Sequence, residues 1–328
     1  MTPTQFFFKV LRKGYATLFG RYVPPREPRV EDGLAANRLI YNVLAEGKPA
    51  MVARFGLFEV LAVYNYICVK AGWKGHLWSY ISGRSAEWFW HETLCRQMQS
   101  NAGFFPPTGE MLSRFGELML TDAGQIDVLG AWRPEEYYMK PYMKADLPRV
   151  QLLLLEPFFS PEPWTRVLRG KRVLVVHPFA RLIEKQYREK RTLLFANPDV
   201  LPPFELQTIQ AVQSLGGEGG KFANWFEALE SMEAEMDKRT YDIALIACGA
   251  YGMPLAAHAK RTGHQAVHLG GSLQLLFGIK GRRWESPKHG AKTFGRGAYL
   301  TLMNEHWVRP GAENTPKAAA KVEGACYW

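Results

Sequence analysis

The segment VHLGGSLQLLFGIKGRRW, residues 267–284, is the most informative stretch of this 328-residue chain. It begins as an apolar strand, passes through Gly270 and Gly271, and reaches Ser272, a residue type that often precedes a helix. Paired glycines let a backbone approach a ligand closely, and the first N–H groups of a helix can bind an anion. The segment therefore predicts either a phosphate-binding turn or an ordinary strand-to-helix connection.

Strands and helices alternate along the chain on both sides of this segment. Apolar runs predict strands at 50–56, 126–130, 150–155, 171–178, 205–213, 241–248 and 264–269. Helical spacing predicts helices at 34–46, 58–70, 181–191, 225–238 and 254–261, and the aromatic-rich region 84–140 is expected to be largely helical. Such alternation predicts an α/β protein with a Rossmann-like, doubly wound and mainly parallel sheet.

A proline-rich break at 24–28 divides the chain into a basic amphipathic segment, residues 1–30, and an α/β domain, residues 31–328. The length of the second region allows one domain or two subdomains that meet near residues 160–170. Within residues 5–21, apolar and aromatic side chains alternate with cations, and no acid precedes Glu27. This pattern predicts a helix that lies either on an anionic membrane, as a peripheral contact, or on the protein's own core.

The composition favours an anionic partner, because the formal net charge is +10 at pH 7. We expect no nucleic-acid partner, since the chain shows no recognition-helix motif, no paired Cys/His spacing and no basic low-complexity tail. The four cysteines are widely spaced and form no CxxC motif, which favours thiols in a reducing cytoplasm. No uninterrupted apolar run of transmembrane length occurs, and cations interrupt the apolar N-terminus, so neither a membrane span nor a signal peptide is expected.

Candidate functional residues follow the predicted strands, where ligands of doubly wound sheets bind. The candidates for binding a nucleotide or other substrate are Arg54, Gly56, Gly249, Tyr251, Gly252, Gly270, Gly271, Ser272, Gln274, Lys280, Arg282 and Arg283. The candidates for acid–base catalysis are Glu59 and His177. Each has an ordinary alternative: the glycines suit tight turns, Glu59 suits the first turn of a helix, and His177 suits a structural hydrogen bond.

Several short motifs together resemble one family of bacterial enzymes. The pattern Arg54-Phe55-Gly56-x-x-Glu59 after a predicted strand is similar to the RFGDGE-type motif of GT-D-fold glycosyltransferases. The later motifs resemble GT-D-like proteins of surface-polysaccharide gene sets: HPF at 177–179, CGAYG at 248–252, HLGG at 268–271, FGIKGRRW at 277–284, NEHWVRP at 304–310 and CYW at 326–328. The resemblance covers roughly residues 38–328 and implies a GT-D-like fold.

One departure from that family pattern affects the expected cofactor. The family places an acidic D-x-E at the first motif, tied to binding of a metal and a nucleotide sugar, whereas this chain has Leu57 in place of the first acid and retains Glu59. A leucine side chain has no atom that can ligate Mn²⁺ or Mg²⁺. This departure favours a metal-free mechanism, in which Arg54, Lys280, Arg282 and Arg283 stabilise a departing diphosphate, over a divalent cation held through D-x-E, and Mn²⁺ or Mg²⁺ stays the alternative.

The resemblance implies a glycosyltransferase that uses a nucleotide-sugar donor and a glycan or lipid-linked acceptor in surface-polysaccharide biosynthesis. Glu59 would be the general base or would position the acceptor, and Arg54 would orient Glu59 or contact phosphate. The replacement at Leu57 also leaves open a non-catalytic protein that binds a glycan or nucleotide within an assembly complex. A methyl- or acyltransferase on a similar sheet is a third possibility, although no fingerprint of their cofactors occurs.

Overall fold

Seven parallel strands form one continuous sheet in the computed structural model, which describes residues 2–214, 220–311, 314 and 326–328. The strands are β1 Ala50–Ala53, β2 Val128–Ala131, β3 Arg149–Gln151, β4 Arg172–His177, β5 Glu205–Gln210, β6 Ile243–Ile246 and β7 Gln265–His268. Their order across the sheet is β3-β2-β1-β7-β6-β4-β5. All residues of β1, β2, β6 and β7 are buried, as expected for strands covered on both faces.

The α-helices in the described ranges connect these strands or flank them. They are α1 Pro3–Phe19, α2 Gly33–Ala45, α3 Leu57–Ala71, α4 Leu77–Ile81, α5 Glu92–Ala102, α6 Gly109–Ala123, α7 Ala180–Lys190, α8 Trp225–Asp237, α9 Gly252–Arg261, α10 Leu273–Leu276, α11 Ala291–Phe294 and α12 Ala298–Leu302. Short 3-10 helices at Gly249–Tyr251 and Gly270–Ser272 follow β6 and β7 directly.

Helices cover both faces of the sheet, because successive strand residues point to opposite sides. Met51 and Ala53 of β1 pack in one apolar core with α3, α5, α6, α8 and α9. Ala50 and Val52 pack in a second core with α2, α7, α10 and α12. The chain is therefore a doubly wound, Rossmann-like α/β protein, and the predicted fold class is confirmed, including the N-terminal helix.

The order of the strands reverses between β1 and β7. Val52 of β1 pairs with Val128 of β2 on one side and with Val267 of β7 on the other. From β1 the chain builds outward through β2 and β3, whereas β4 to β7 occupy the opposite side. The loops that follow β1 and β7 separate there and leave a crevice at the carboxyl edge of the sheet.

Most of the predicted strands are longer in the sequence pattern than in the fold, and the runs 150–155 and 205–213 show why. The apolar run 150–155 supplies β3 only as far as Gln151, and Leu152–Leu155 forms a 3-10 helix. Leu154 and Leu155 pack in the second core, and the indole of Trp164 donates to the carbonyl of Leu155. The run 205–213 likewise leaves the sheet after Gln210, where β4, its only described neighbour, ends.

Strands from before and after residues 160–170 belong to the same sheet. Two subdomains meeting near that segment therefore stay a prediction that this topology does not decide. Among the described helices, none combines the length and hydrophobicity that crossing a bilayer requires.

The contact between α3 and α6 gives a direct test of packing. A Cβ on Gly116 of α6 would lie 2.3 Å from a ring carbon of Tyr66 on α3. Gly116→Ala is therefore expected to lower the free energy of unfolding by about 1–3 kcal/mol, measured by urea denaturation. Gly14→Ala is the control, because nothing lies within 4 Å of a Cβ at that helical glycine. Equal stability of Gly116→Ala and wild type would contradict this packing.

Candidate functional site

A cavity of about 890 Å³ opens at the carboxyl edge of the sheet. Segments after every strand contribute to it: Arg54 and Gly56 follow β1, Trp132 follows β2, residues 151–156 end or follow β3, His177 ends β4, residues 212–214 follow β5, residues 247–249 follow β6, and residues 268–272 end or follow β7. The cavity therefore spans the point where the strand order reverses. Doubly wound sheets bind their ligands at such a position.

Most of the residues proposed from the sequence meet at this cavity. Those that line it are Arg54, Gly56, Glu59, His177, Gly249, Tyr251, Gly270, Gly271, Ser272, Gln274 and Arg283, and Leu57 lines it as well. Their roles in binding or catalysis stay predictions.

Three candidates lie outside the cavity, contrary to the expectation from sequence. Gly252 begins α9 beneath the His268 ring, where a Cβ would come within 2.2 Å of the imidazole Nε2. The backbone N–H of Lys280 donates to the carbonyl of Val308, and Arg282 is exposed. Adjacent residues in an irregular segment point in different directions, so Arg283 reaches the cavity while its neighbour does not.

Arg54 lies at the junction of β1 and β7. Its guanidinium carbon lies 5.5 Å from the centre of the Trp132 ring, a cation–π distance. It also lies 3.6 Å from the position that a Cβ on Gly270 would occupy. Gly270 has φ +65°, a conformation that favours glycine. The turn after β7 therefore brings backbone and a guanidinium together at one wall of the cavity.

Glu59 lies in the first turn of α3, which begins directly after β1. Its carboxyl group folds back over Gly56, since a Cβ there would lie 1.8 Å from a Glu59 carboxyl oxygen. Glu59 is 8% exposed and lines the cavity. The helix N-terminus stabilises a carboxylate in this position. This geometry is compatible with a structural cap and with contact to a ligand.

The residues present do not fit a cation held by the protein at this motif. Leu57 presents an alkyl group at the first position of α3, and Glu59 is the motif's remaining carboxylate. Within the described ranges, we find no group of three or more His, Cys, Asp or Glu side chains placed to hold a metal ion. The motif therefore offers Mg²⁺ or Mn²⁺ a single carboxylate from the protein.

His177 ends β4 and lines the cavity with a buried imidazole. Its Nδ1 accepts from the backbone N–H of Phe179 at 2.9 Å, which assigns the ring proton of the neutral form to Nε2. Burial lowers the pKa of His177 to about 3. The imidazole is therefore neutral near pH 7 and has little tendency to take up a proton. This argues against the acid–base role expected from the sequence.

Glu156 is a cavity residue that the sequence analysis did not identify. Burial raises the pKa of its carboxyl group to about 7, and the neighbouring Tyr299 and Ser272 hydroxyls and the Arg283 and Arg54 charges act in the opposite direction. The Tyr299 hydroxyl donates to Glu156 Oε2 at 2.5 Å. A carboxyl that titrates near neutral pH inside a cleft is suited to proton transfer. Its position directly after an apolar run at a predicted strand end was the available sequence signal.

Ser272 does not cap a helix through its side chain, contrary to the sequence-based expectation. Its hydroxyl donates to the carbonyl of Leu269 at 3.3 Å and interacts with Glu156. The 3-10 helix Gly270–Ser272 runs straight into α10, so the chain has no extended N-cap residue there. The serine therefore supports the buried carboxyl group of Glu156.

Aromatic side chains close the side of the cavity next to Gly271. A Cβ on Gly271 would lie 2.1 Å from the ring of Tyr327, so the glycine makes room for that ring. The guanidinium of Arg283 lies 4.8 Å from the centre of the same ring. Trp328 packs against Phe179, and its indole N–H donates to the carbonyl of Asn314. The pair Gly270 and Gly271 therefore makes room for packed aromatic rings and also leaves the backbone open to a ligand.

Comparison with known proteins adds little at this point. No family model and no curated protein matches the chain. A solved structure titled as a selenomethionine-substituted domain of unknown function 1792 is similar, with 13% identity, a TM-score of 0.40, and coverage of 80% of this chain and 82% of that one. A likeness this remote carries no argument about the site.

The buried state of His177 predicts a pH dependence. Unfolding exposes the imidazole, which takes up a proton below its usual pKa of 6.5, whereas the folded state keeps it neutral to about pH 3. The neutral ring makes its full contribution to the free energy of unfolding above pH 6.5. Below that pH the contribution falls by about 1.4 kcal/mol per pH unit. His177→Asn, whose amide oxygen can replace Nδ1 as acceptor, is expected to reduce the pH dependence of the free energy of unfolding in urea by this amount, while His268, whose pKa burial also lowers to about 3, keeps its own contribution. Identical pH dependence of variant and wild type would refute the assignment.

Proposed function

We propose that this protein is a glycosyltransferase that moves a sugar from a nucleotide-sugar donor to a hydroxyl of a glycan or lipid-linked acceptor. The observation that carries the proposal is the electropositive cavity at the point where the strand order reverses. Its place in surface-polysaccharide assembly follows the resemblance of the sequence motifs, not the geometry. The four cysteines, all in the described ranges, form no disulfide, which supports action in a reducing cytoplasm.

Charge at the cavity favours a diphosphate. The cationic side chains among its lining residues are Arg26, Arg29, Arg54, Arg283 and Lys288, whereas the acidic ones are Glu59 and Glu156. Guanidinium groups donate paired hydrogen bonds to phosphate oxygens and keep their charge at any physiological pH. Fixed cations around a departing diphosphate stabilise the charge that develops as the bond to the sugar breaks. The protein's own cations thus supply what a metal supplies elsewhere.

Backbone geometry after β6 and β7 also favours the binding of a phosphate. Gly249 and Gly270 both have positive φ, +60° and +65°, at the points where the chain leaves β6 and β7. These turns keep bulky side chains away from the cavity wall and allow a phosphate to approach the backbone. Trp132 lines the cavity as well and offers apolar surface to a nucleotide base or sugar ring.

Proton transfer from the acceptor requires a general base within reach of its hydroxyl, and the cavity offers two carboxyl groups for this role, Glu59 and Glu156. We assign this role to Glu156 in preference to Glu59, because a pKa near 7 leaves a substantial fraction of Glu156 ionised and able to hold a proton. As the acceptor oxygen forms its bond to the sugar, Glu156 takes the hydroxyl proton, and the bond between sugar and diphosphate breaks. Tyr299 positions the carboxyl group through its hydrogen bond. Neutral His177 offers a donor N–H to the substrate.

A non-catalytic glycan- or nucleotide-binding protein is the second candidate. Leu57 favours it, because loss of the acid at that position removes a metal ligand from the family's motif. Such a protein would use the same cavity and cations without proton transfer. Turnover in a screen of nucleotide-sugar donors separates the two candidates.

Matched carboxamide variants test the base. Glu156→Gln removes the titrating group with little change in shape and is expected to lower kcat by about 10²–10⁴-fold while donor binding is retained. Glu59→Gln is the comparison, because it also removes a cavity carboxylate. The pH dependence of kcat should lose its transition near the Glu156 pKa of about 7 only in the first variant. Wild-type turnover in Glu156→Gln together with loss in Glu59→Gln would move the role to Glu59.

Nucleoside diphosphate binding tests the site without requiring turnover. At 100 times its dissociation constant, a ligand is expected to raise the free energy of unfolding by about 2.7 kcal/mol, detectable as a thermal shift. Arg54→Ala should weaken binding about tenfold or more, since it removes a charged hydrogen-bond donor. Arg282→Ala is the matched control, because that arginine is exposed and does not line the cavity. Equal shifts in both variants, or none in the wild type, would count against a diphosphate site.

A further inference from the structure

Exposed apolar side chains are concentrated in one part of this molecule. Among the large hydrophobic residues exposed in the described ranges, four lie elsewhere: Tyr137, Tyr142, Leu193 and Leu300. The others are Phe6, Phe7, Val10, Leu11, Leu18, Phe19, Tyr22, Val23, Trp73 and Trp78, which belong to α1, the segment after it, and the region around α4. Concentration of this kind marks an interaction surface, since single exposed apolar residues are normally scattered.

The exposed apolar residues of α1 are not the ones through which the helix docks on the protein. Docking uses Phe8, Arg12 and Tyr15: Phe8 packs edge-on against Trp88, Arg12 donates to the carbonyl of Ser85, and Tyr15 packs edge-on against Trp78. No residue of α1 is fully buried. The helix is therefore held against the domain along one side, and its remaining surface faces solvent.

A second face of α1, exposed to solvent, is also apolar. Phe7, Val10, Leu11 and Leu18 recur at helical spacing and are 57%, 53%, 39% and 78% exposed. We call this face, together with Phe6 and the exposed Trp73, Lys74 and Trp78 of the adjoining α4 region, the outer surface. Trp78 packs edge-on against Tyr15 on the docking side and is still 63% exposed, so it adds exposed apolar surface where α1 meets the α4 region.

Charge selects the kind of partner that fits the outer surface. Every charged residue before Glu27 is a cation, and Lys13 of α1, Arg21 just after it and Lys74 next to Trp73 are exposed. A second copy of this chain would present the same positive charge and repel it. An anionic bilayer offers negative headgroups to the cations and an acyl boundary to the apolar side chains, with tryptophan favoured at the boundary between them.

We propose that the outer surface docks the protein on an anionic membrane, with α1 lying in the plane of the headgroups. The segment that follows α1 continues directly to Arg26 and Arg29, which line the cavity. Docking would thus hold the cavity close to the bilayer surface. Membrane binding does not depend on the proposed transfer reaction, so failure of one leaves the other to be tested separately.

Vesicle co-sedimentation of the full chain tests the proposal. The wild type is expected to bind vesicles of phosphatidylglycerol and phosphatidylcholine in equal amounts at least tenfold more tightly than vesicles of phosphatidylcholine alone, and added salt should weaken this binding. Absence of binding to the anionic vesicles, or equal binding to both kinds, would overturn the proposal.

Matched variants locate the surface. Phe7→Ser combined with Leu18→Ser is expected to reduce vesicle binding tenfold or more, because both side chains would leave the acyl boundary. The control combines Leu193→Ser with Leu300→Ser, which are exposed at 45% and 43% outside this surface. Unchanged circular dichroism and Tm would show that the first pair leaves the fold intact. Equal binding by the two double variants would overturn the assignment.

A charge-reversal pair tests the electrostatic part. Lys13→Glu with Lys74→Glu should lower binding to the anionic vesicles at least tenfold. Arg181→Glu with Lys185→Glu makes the same change in net charge on α7 and should bind as the wild type does. Similar loss in both pairs would reduce the effect to overall charge and contradict the proposed surface. A concentration-dependent dimer abolished by the Phe7 and Leu18 substitutions would instead assign the surface to a second copy.

Discussion

The parallel pairing of β1 with β7 is the constraint on which the rest of this structure depends. It joins strands that are more than two hundred residues apart in the sequence, with Ala50 opposite Gln265 and Val52 opposite Val267. Without it, β1 to β3 and β4 to β7 would be separate sheets with additional exposed edges. The same pairing makes the loops after β1 and β7 diverge and so creates the cavity. Stability and the candidate site thus have a common origin.

A second constraint follows from burying polar groups where the strands end. His177, His268 and Glu156 are all buried at the cavity, and burial favours the neutral form of each. For the two histidines this gives stable neutral rings near pH 7. For Glu156 it brings protonated and ionised forms close in free energy, which is useful for catalysis and costly for stability. The Tyr299 and Ser272 hydroxyls and the neighbouring arginines limit that cost.

The two functional proposals place different demands on the chain. The cavity requires buried, precisely oriented groups, whereas the outer surface of α1 and the α4 region requires exposed apolar groups that the protein's own core leaves uncovered. The segment around Arg26 belongs to both regions, because it follows the helix and reaches the cavity wall. A transferase with a lipid-linked acceptor would benefit from this adjacency. One short segment of the chain thus joins the proposed membrane-binding helix to the cavity.

The sequence by itself determined the alternation of strands and helices, because apolar periodicity reports which faces are buried and glycine and proline mark where elements end. That alternation predicted the doubly wound sheet and placed Arg54, His177, Gly249 and Gly270 at strand ends, although β3 proved shorter than its apolar run. Only the tertiary structure decided which of these residues lie together at the wall of the cavity. It placed Arg283 but not Arg282 at the cavity, turned Ser272 toward Glu156 and kept the buried imidazole of His177 neutral. Those outcomes depend on contacts between residues distant in sequence and on desolvation, and neither is encoded in local spacing.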